Sequence, residues 1–207
     1  MTGPGPPAAA RERIVSIVLA AGAGRRFGGR KQLAPLHGRP LLEHALGAAA
    51  ATPSEATILV LGADAEEIER GVELGDTAVV RCPDWERGQG ASLQAGLAAL
   101  APEVGAALVT LGDEPFVPPA ASERLLAARR PGLAALRATY GGRPGHPVLI
   151  ERELFAPLAA APADASPAAL LREAGIEAVE CGDLGDPADV DTPAQLAALE
   201  HSRSSAT

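Results

Sequence analysis

Aromatic side chains are scarce, with one tryptophan, one tyrosine and three phenylalanines in 207 residues. So few rings exclude a stacking platform for single-stranded nucleic acid, and they leave leucine and valine to fill a core. Cysteine is equally thin: Cys82 and Cys181 stand far apart. Two distant thiols without a histidine cluster make neither a disulfide scaffold nor a zinc site. No stretch is apolar for long enough to cross a membrane, and segment 2–13, rich in glycine, proline and alanine, lacks the charged-then-apolar order of a signal peptide. Residues 1–12 are expected to form a disordered arm, 13–201 a single domain and 202–207 a flexible tail, in the cytoplasm. Basic residues are the minority, 18 against 26 acidic, for a net charge of −8. That balance offers no broad basic face to displace counterions from long nucleic acid. A local basic patch on an acidic chain suits a small phosphorylated ligand instead.

Apolar residues make up 47% of the chain, much of that alanine. They fall into alternating strand-like and helical runs. Strands are expected at 14–20, 57–61, 77–81, 106–111, 133–139, 148–150 and 176–180. Helices are expected at 40–51, 64–70, 91–100, 120–129, 151–160 and 166–173, with a last one from 193 to about 200 and a frayed tail beyond. This rhythm predicts an α/β fold of three layers, with a Rossmann-like, mostly parallel sheet.

The segment Leu19-Ala20-Ala21-Gly22-Ala23-Gly24-Arg25-Arg26-Phe27-Gly28-Gly29-Arg30-Lys31 follows the first strand. Its glycines let the backbone curl so that N–H groups face phosphate oxygens, and Arg25, Arg26 and Lys31 add positive charge. Two commoner motifs do not fit. Gln32 stands where a phosphate-binding loop of the G-x-x-x-x-G-K-[ST] type needs a hydroxyl. Gly62-Ala63 stand where a dinucleotide fold places its acidic ribose partner.

In Leu111-Gly112-Asp113-Glu114-Pro115, Asp113 follows a strand end, where open sheets bind ligands and a carboxylate can hold Mg²⁺ against phosphates. Accepting backbone N–H bonds before Pro115 is its plainer role. Asp186, Asp189 and Asp191 supply further carboxylates; Asp191 is the choice for a second metal ligand, with Asp191 or Thr192 available to cap the helix at Pro193. In Gly88-Gln89-Gly90-Ala91-Ser92, Gly88 and Gly90 permit close approach, and Ser92 offers either a contact to a ribose or phosphate oxygen or a helix cap. Gly141-Gly142-Arg143-Pro144-Gly145-His146-Pro147 reads as a tight turn beside the substrate, acting through backbone. Glu114 is a candidate for a hydrogen bond to substrate or to a neighbouring loop.

Together, L-A-A-G-A-G-R-R-F-G-G-R-K-Q-L, W-E-R-G-Q-G-A-S-L-Q-A-G-L, L-G-D-E-P-F-V, G-R-P-G-H-P-V-L-I and D-V-D-T-P resemble the molybdenum-cofactor nucleotidylyltransferases. The resemblance implies the fold of nucleotide-diphospho-sugar transferases. Ala21, where the guanylyl-transferring branch has glycine, is similar to the molybdopterin cytidylyltransferase branch; Ala91 departs from a serine or threonine often found there. The resemblance places Leu19, Ala20, Ala21, Gly22, Gly24, Gly90 and Ser92 on the nucleotide. It puts Arg25 and Lys31 on the triphosphate, Asp113 and Asp191 on Mg²⁺, and Gly145-His146 near the pterin. It implies transfer of CMP from CTP to a molybdopterin phosphate, with a molybdenum hydroxylase or its maturation factor as a further partner. An NAD(P)H-dependent oxidoreductase on the same fold and a non-catalytic molybdopterin carrier are the alternatives.

Overall fold

Alternation along the first strand sorts the layers. In β1 (Arg13–Leu19), Val15, Ile17 and Leu19 enter one apolar cluster, while Val18, with Ala20 just beyond, enters another. Successive side chains of a strand point to opposite faces, so both faces of this strand must be covered. The computed structural model describes residues 12–162, 164–185 and 187–204. The expected arm up to residue 11, Asp186 and residues 205–207 lie outside them.

After β1 the chain forms a small hairpin, β2 (Pro35–Leu36) and β3 (Arg39–Pro40), then α1 (Leu41–Ala50) and β4 (Ala56–Leu61). Next come α2 (Ala65–Gly71), β5 (Ala78–Arg81), α3 (Gln89–Ala98) and β6 (Val104–Leu111). The second half runs α4 (Pro119–Ala127), β7 (Ala135–Tyr140), β8 (Arg143–Glu151), α5 (Phe155–Ala160), α6 (Pro167–Glu173), β9 (Glu177–Glu180) and α7 (Pro193–Ser204). Seven strands form one sheet in the order β5-β4-β1-β6-β8-β7-β9. It is mostly parallel, as expected; β8 alone runs against its neighbours β6 and β7.

Helices α3, α5 and α6 send Leu93, Leu97, Leu158 and Leu171 onto the face of Ile17. The opposite face is covered by Leu42 and Leu46 of α1, Ile68 of α2, and Ala121 and Leu125 of α4. Burying leucine and isoleucine side chains this way contributes roughly 1.5–3 kcal/mol each. Ser16 is the buried polar residue of β1, and its hydroxyl bonds to Thr52 and Ser54 at 2.9 Å.

Two expectations change. Residues 143–147 are strand rather than loop, because β8 starts at Arg143 and only Gly141-Gly142 make the turn. The last helix runs to Ser204 instead of ending near Glu200. Its start is secured by a reciprocal cap: Gln195 N–H donates to Thr192 Oγ1 at 3.3 Å, and Gln195 Oε1 accepts from Asp191 N–H at 2.9 Å. Among the described residues, no helix is long and apolar enough to cross a membrane.

Candidate active site

Three chain segments meet at the carboxyl ends of β1 and β6. Gly112 N–H donates to Leu19 O at 2.9 Å, which locks the loop after β6 beside the loop after β1. The glycine loop then folds upon itself, with Gly24 O accepting from the N–H groups of Phe27 (2.9 Å) and Gly29 (3.1 Å). Gly24 has φ +60°, a left-handed conformation that glycine takes without a side-chain penalty.

Gln32, beneath this loop, is buried, and its side-chain amide donates to Ala20 O and Gly22 O, both at 2.9 Å. One side chain thus holds the backbone on both sides of Ala21. Sequence reading used Gln32 only as evidence against a hydroxyl-bearing motif; its bracing role depends on a chain reversal that local pattern does not reveal.

Lys31 lies at the charge centre. Its Nζ is 2.6 Å from Asp113 Oδ2 and 3.3 Å from Asp191 Oδ1, and the lysine side chain is 10% exposed. Arg26 bonds the other oxygen of Asp191 at 2.9 Å. The predicted trio of Lys31, Asp113 and Asp191 is therefore one cluster, with Arg26 a further member. Asp191 arrives because Val190 is fully buried and its N–H donates to Asp113 O at 2.9 Å. Thr192 does the capping, which leaves both Asp191 oxygens for cations. Asp189 is exposed, on the opposite side of Val190 in number but away from this cluster's ion pairs.

A divalent cation fits this pair of acids. Asp113 Oδ1 is buried without a hydrogen-bond partner, and the two carboxylates already converge on one ammonium nitrogen. Among the described residues, no group of three or more His, Cys, Asp or Glu makes a complete metal cage. A hard divalent cation can be held by one or two carboxylates with waters and phosphate oxygens completing its shell.

A cleft of about 330 Å³ opens next to the cluster, lined by Ala21, Gly22, Arg25, Trp85, Ser92 and Asp113 among others. A smaller recess of about 80 Å³ lies under the loop, lined by Leu19, Ala20, Gly22, Gly24, Lys31 and Asp113. Gly22 and Asp113 share both, so the glycine loop and the acidic loop face one space. Ser92 lies beyond the capping position, since Gly88 is the cap of α3, and it lines the cleft; burial pushes the pKa of the Cys82 thiol up. Gly88 and Gln89 line the cleft, whereas Gly90 is buried in the same turn and is not among the lining residues.

Trp85 forms the wall that sequence reading missed. Its ring packs against Gly62, where an added Cβ would come within 2.5 Å of Trp85 Cβ and 2.7 Å of Ala21 O. Gly62-Ala63, noted above for lacking an acid, is therefore the place where the loop after β4 passes closely between a ring and a carbonyl.

A second cavity, about 250 Å³, adjoins the cleft and shares Leu19, Gln89 and Leu111 with it. Gly145 and His146 line it because antiparallel β8 begins at the edge where β6 ends. His146 Nδ1 is 2.9 Å from Glu114 Oε1, and Tyr140 OH donates to His146 O at 2.7 Å. Of the two roles expected for Glu114, the structure shows the contact to a neighbouring segment. Glu180 braces the turn into β8 by accepting from Thr139 Oγ1 (2.8 Å) and the N–H groups of Gly141 (2.8 Å) and Gly142 (3.2 Å). The Thr139 hydroxyl foremost, then those N–H groups, lower its pKa to about 2.

A basic glycine loop, an acid pair on one lysine and an adjoining second cavity thus meet at one edge of the sheet. The family profile of the MobA-like NTP transferase domain matches residues 16–179. The chain belongs to this family. It is a nucleotidyltransferase with the nucleotide-diphospho-sugar transferase fold. Nicotine blue oxidoreductase of Paenarthrobacter nicotinovorans is 34% identical, across 88% of this chain and 94% of that protein. An Rv0371c homologue from Mycobacterium sp. strain JC1 superposes with a TM-score of 0.79 at 30% identity, over 93% of this chain and 99% of that one. Rv0371c of Mycobacterium tuberculosis in complex with manganese gives 0.75 at 30% identity, over 92% and 99%.

Proposed function

We propose that residues 13–201 act as one domain that transfers CMP from CTP to the terminal phosphate of a molybdenum-bound molybdopterin, releasing pyrophosphate. The observation that carries this reading is Lys31 shared between Asp113 and Asp191 beside the glycine loop. Such a cluster suits a triphosphate with its metal. A carrier that turned over no nucleotide would have little use for it.

In the reaction, an oxygen of the acceptor phosphate bonds to the α-phosphorus as the bond from that phosphorus to the β-phosphate oxygen breaks. Pyrophosphate leaves with that bond's electron pair. The attacking phosphate is already ionised, so no general base is required. Asp113 and Asp191 would hold Mg²⁺, which when bound supplies positive charge at the reacting phosphates. Lys31 and Arg25 balance the charge of the departing pyrophosphate, and backbone N–H groups of the glycine loop orient the triphosphate. The acceptor is placed in the second cavity beside Gly145-His146, which shares Leu19, Gln89 and Leu111 with the cleft. Positioning and electrostatics supply most of the acceleration, as in phosphoryl transfer generally.

The test is pyrophosphate release by Asp113→Ala and Asp191→Ala enzymes. Both should lose at least 100-fold in kcat while keeping the wild-type circular dichroism spectrum, since neither carboxylate caps a helix. Unchanged metal-dependent release in both variants refutes the reading. A second reading, a nicotinamide-dependent reductase, is favoured only by the name of the relative from P. nicotinovorans. It predicts NAD(P)H oxidation without any pyrophosphate product.

A further inference from the structure

Arg137 is a charged residue in the second cavity that the proposed reaction leaves without a task. It lies on β7 opposite Val148 of β8, which in turn pairs with Val109 of β6. Its backbone therefore stands two residues, about 7 Å, below the level of Leu111 at the rim. Its side chain lines the cavity with Leu93, Val109, Val148, Ile150 and Leu171, an apolar wall.

Among the described residues, no carboxylate pairs with this guanidinium. Arg137 Nε is buried and makes no hydrogen bond. The arginines in the connection leading into β7 are treated differently: Arg129 bonds Glu12 and Glu151, and Arg130 bonds Glu177. The cavity's own acid, Glu114, directs Oε1 at His146 instead. Desolvation, then the nearby Arg172, lowers the Arg137 pKa, so the surroundings penalise its charge. A half-buried cation that costs free energy in the empty protein is a built recognition group when a ligand brings the missing anion.

We infer that Arg137 binds an anionic oxygen group, carboxylate or phosphate, on a ring-bearing acceptor whose body lies against the cavity's apolar wall. The inference rests on the reading of this cavity as the acceptor site, and it adds the chemistry that the acceptor must carry. Nucleotide binding, on the other side of Leu19 and Leu111, does not depend on it.

Calorimetric titration with 2-naphthoate, 2-naphthyl phosphate and neutral 2-naphthamide tests it on the full chain. Wild type should bind one or both anions more tightly than the amide, and which anion wins identifies the group. Arg137→Met should weaken the preferred anion at least tenfold and leave the amide unchanged, with Arg137→Lys recovering part of the loss. The melting temperature of Arg137→Met should hold or rise, because an unpaired charge has left an apolar wall. If that variant does not fold, Arg137→Gln is read in the same way. Equal anion affinity in wild type and variant, or no anion binding by wild type, overturns the inference. Arg137-dependent anion binding in an enzyme that transfers nothing to molybdopterin would instead overturn the proposed acceptor while upholding Arg137.

Discussion

Removing the Gln32 amide should loosen the glycine loop by an amount that can be worked out from its two bonds. The amide serves Ala20 O in a buried setting and Gly22 O in a partly buried one, each at 2.9 Å. In Gln32→Ala, water reaches the Gly22 carbonyl, so that bond costs about 1 kcal/mol; the buried Ala20 carbonyl costs about 1–3 kcal/mol if left unpaired. The sum, about 2–4 kcal/mol, corresponds to a fall of roughly 5–15 °C in melting temperature for a domain of this size. Gln32→Glu separates hydrogen bonding from volume. At neutral pH its carboxylate would face two carbonyl oxygens, so its deficit should exceed that of alanine. Burial and those oxygens would raise the folded-state pKa of the new acid, so the deficit should shrink as pH falls from 7 toward 5 and the acid protonates. Thermal denaturation at pH 7 and pH 5, with nucleotide titration alongside, measures both effects. A Gln32→Ala protein melting within 1 °C of wild type, with unaltered nucleotide affinity, would refute the bracing role.

Three further outcomes follow from particular contacts. Trp85 is the chain's single tryptophan and lines the cleft, so CTP should change its fluorescence, and Lys31→Met should weaken that response at least tenfold. Gly62→Ala should shift the same emission before any ligand is added, because its Cβ meets Trp85 and the Ala21 carbonyl; an unchanged spectrum and melting temperature would contradict the packing. Glu180 has a folded pKa of about 2, below the ordinary glutamate value near 4.3, so its stabilisation is present above pH 4.3 and disappears as pH falls toward 2. Glu180→Gln should therefore melt lower than wild type at pH 6 and converge with it by pH 2, which parallel melts will show.

The sheet was legible because its strands are short apolar runs bounded by glycine, proline or charge, and 57–61 and 106–111 emerge within two residues of their observed starts. Lys31, Asp113 and Asp191 were legible by type and place, each following a strand or preceding a helix at a ligand-binding edge. What joins them was not. The ammonium shared between residues 82 and 160 positions away, and the Gln32 brace, are products of the tertiary fold. The extent of β8 was hidden for a different reason. Gly145 and two prolines lower the strand propensity of 143–147, yet pairing of Pro144 with Thr139 carries the strand through them. Arg137 escaped notice because a lone arginine among apolar residues is informative only once the fold shows that no carboxylate among the described residues pairs with it.

The central claim is metal-dependent nucleotidyl transfer at the Lys31–Asp113–Asp191 cluster. Purified protein should be incubated with molybdenum-loaded molybdopterin and CTP, GTP, ATP or UTP in turn, with and without Mg²⁺ or Mn²⁺, and products quantified by mass spectrometry with pyrophosphate release. The account predicts a CMP-bearing pterin and stoichiometric pyrophosphate, fastest with CTP, absent without metal, and less selective in Ala21→Gly. Faster transfer from GTP would contradict the role given to Ala21. No nucleotidylated product from any triphosphate, together with NAD(P)H oxidation by the same preparation, would contradict the claim itself.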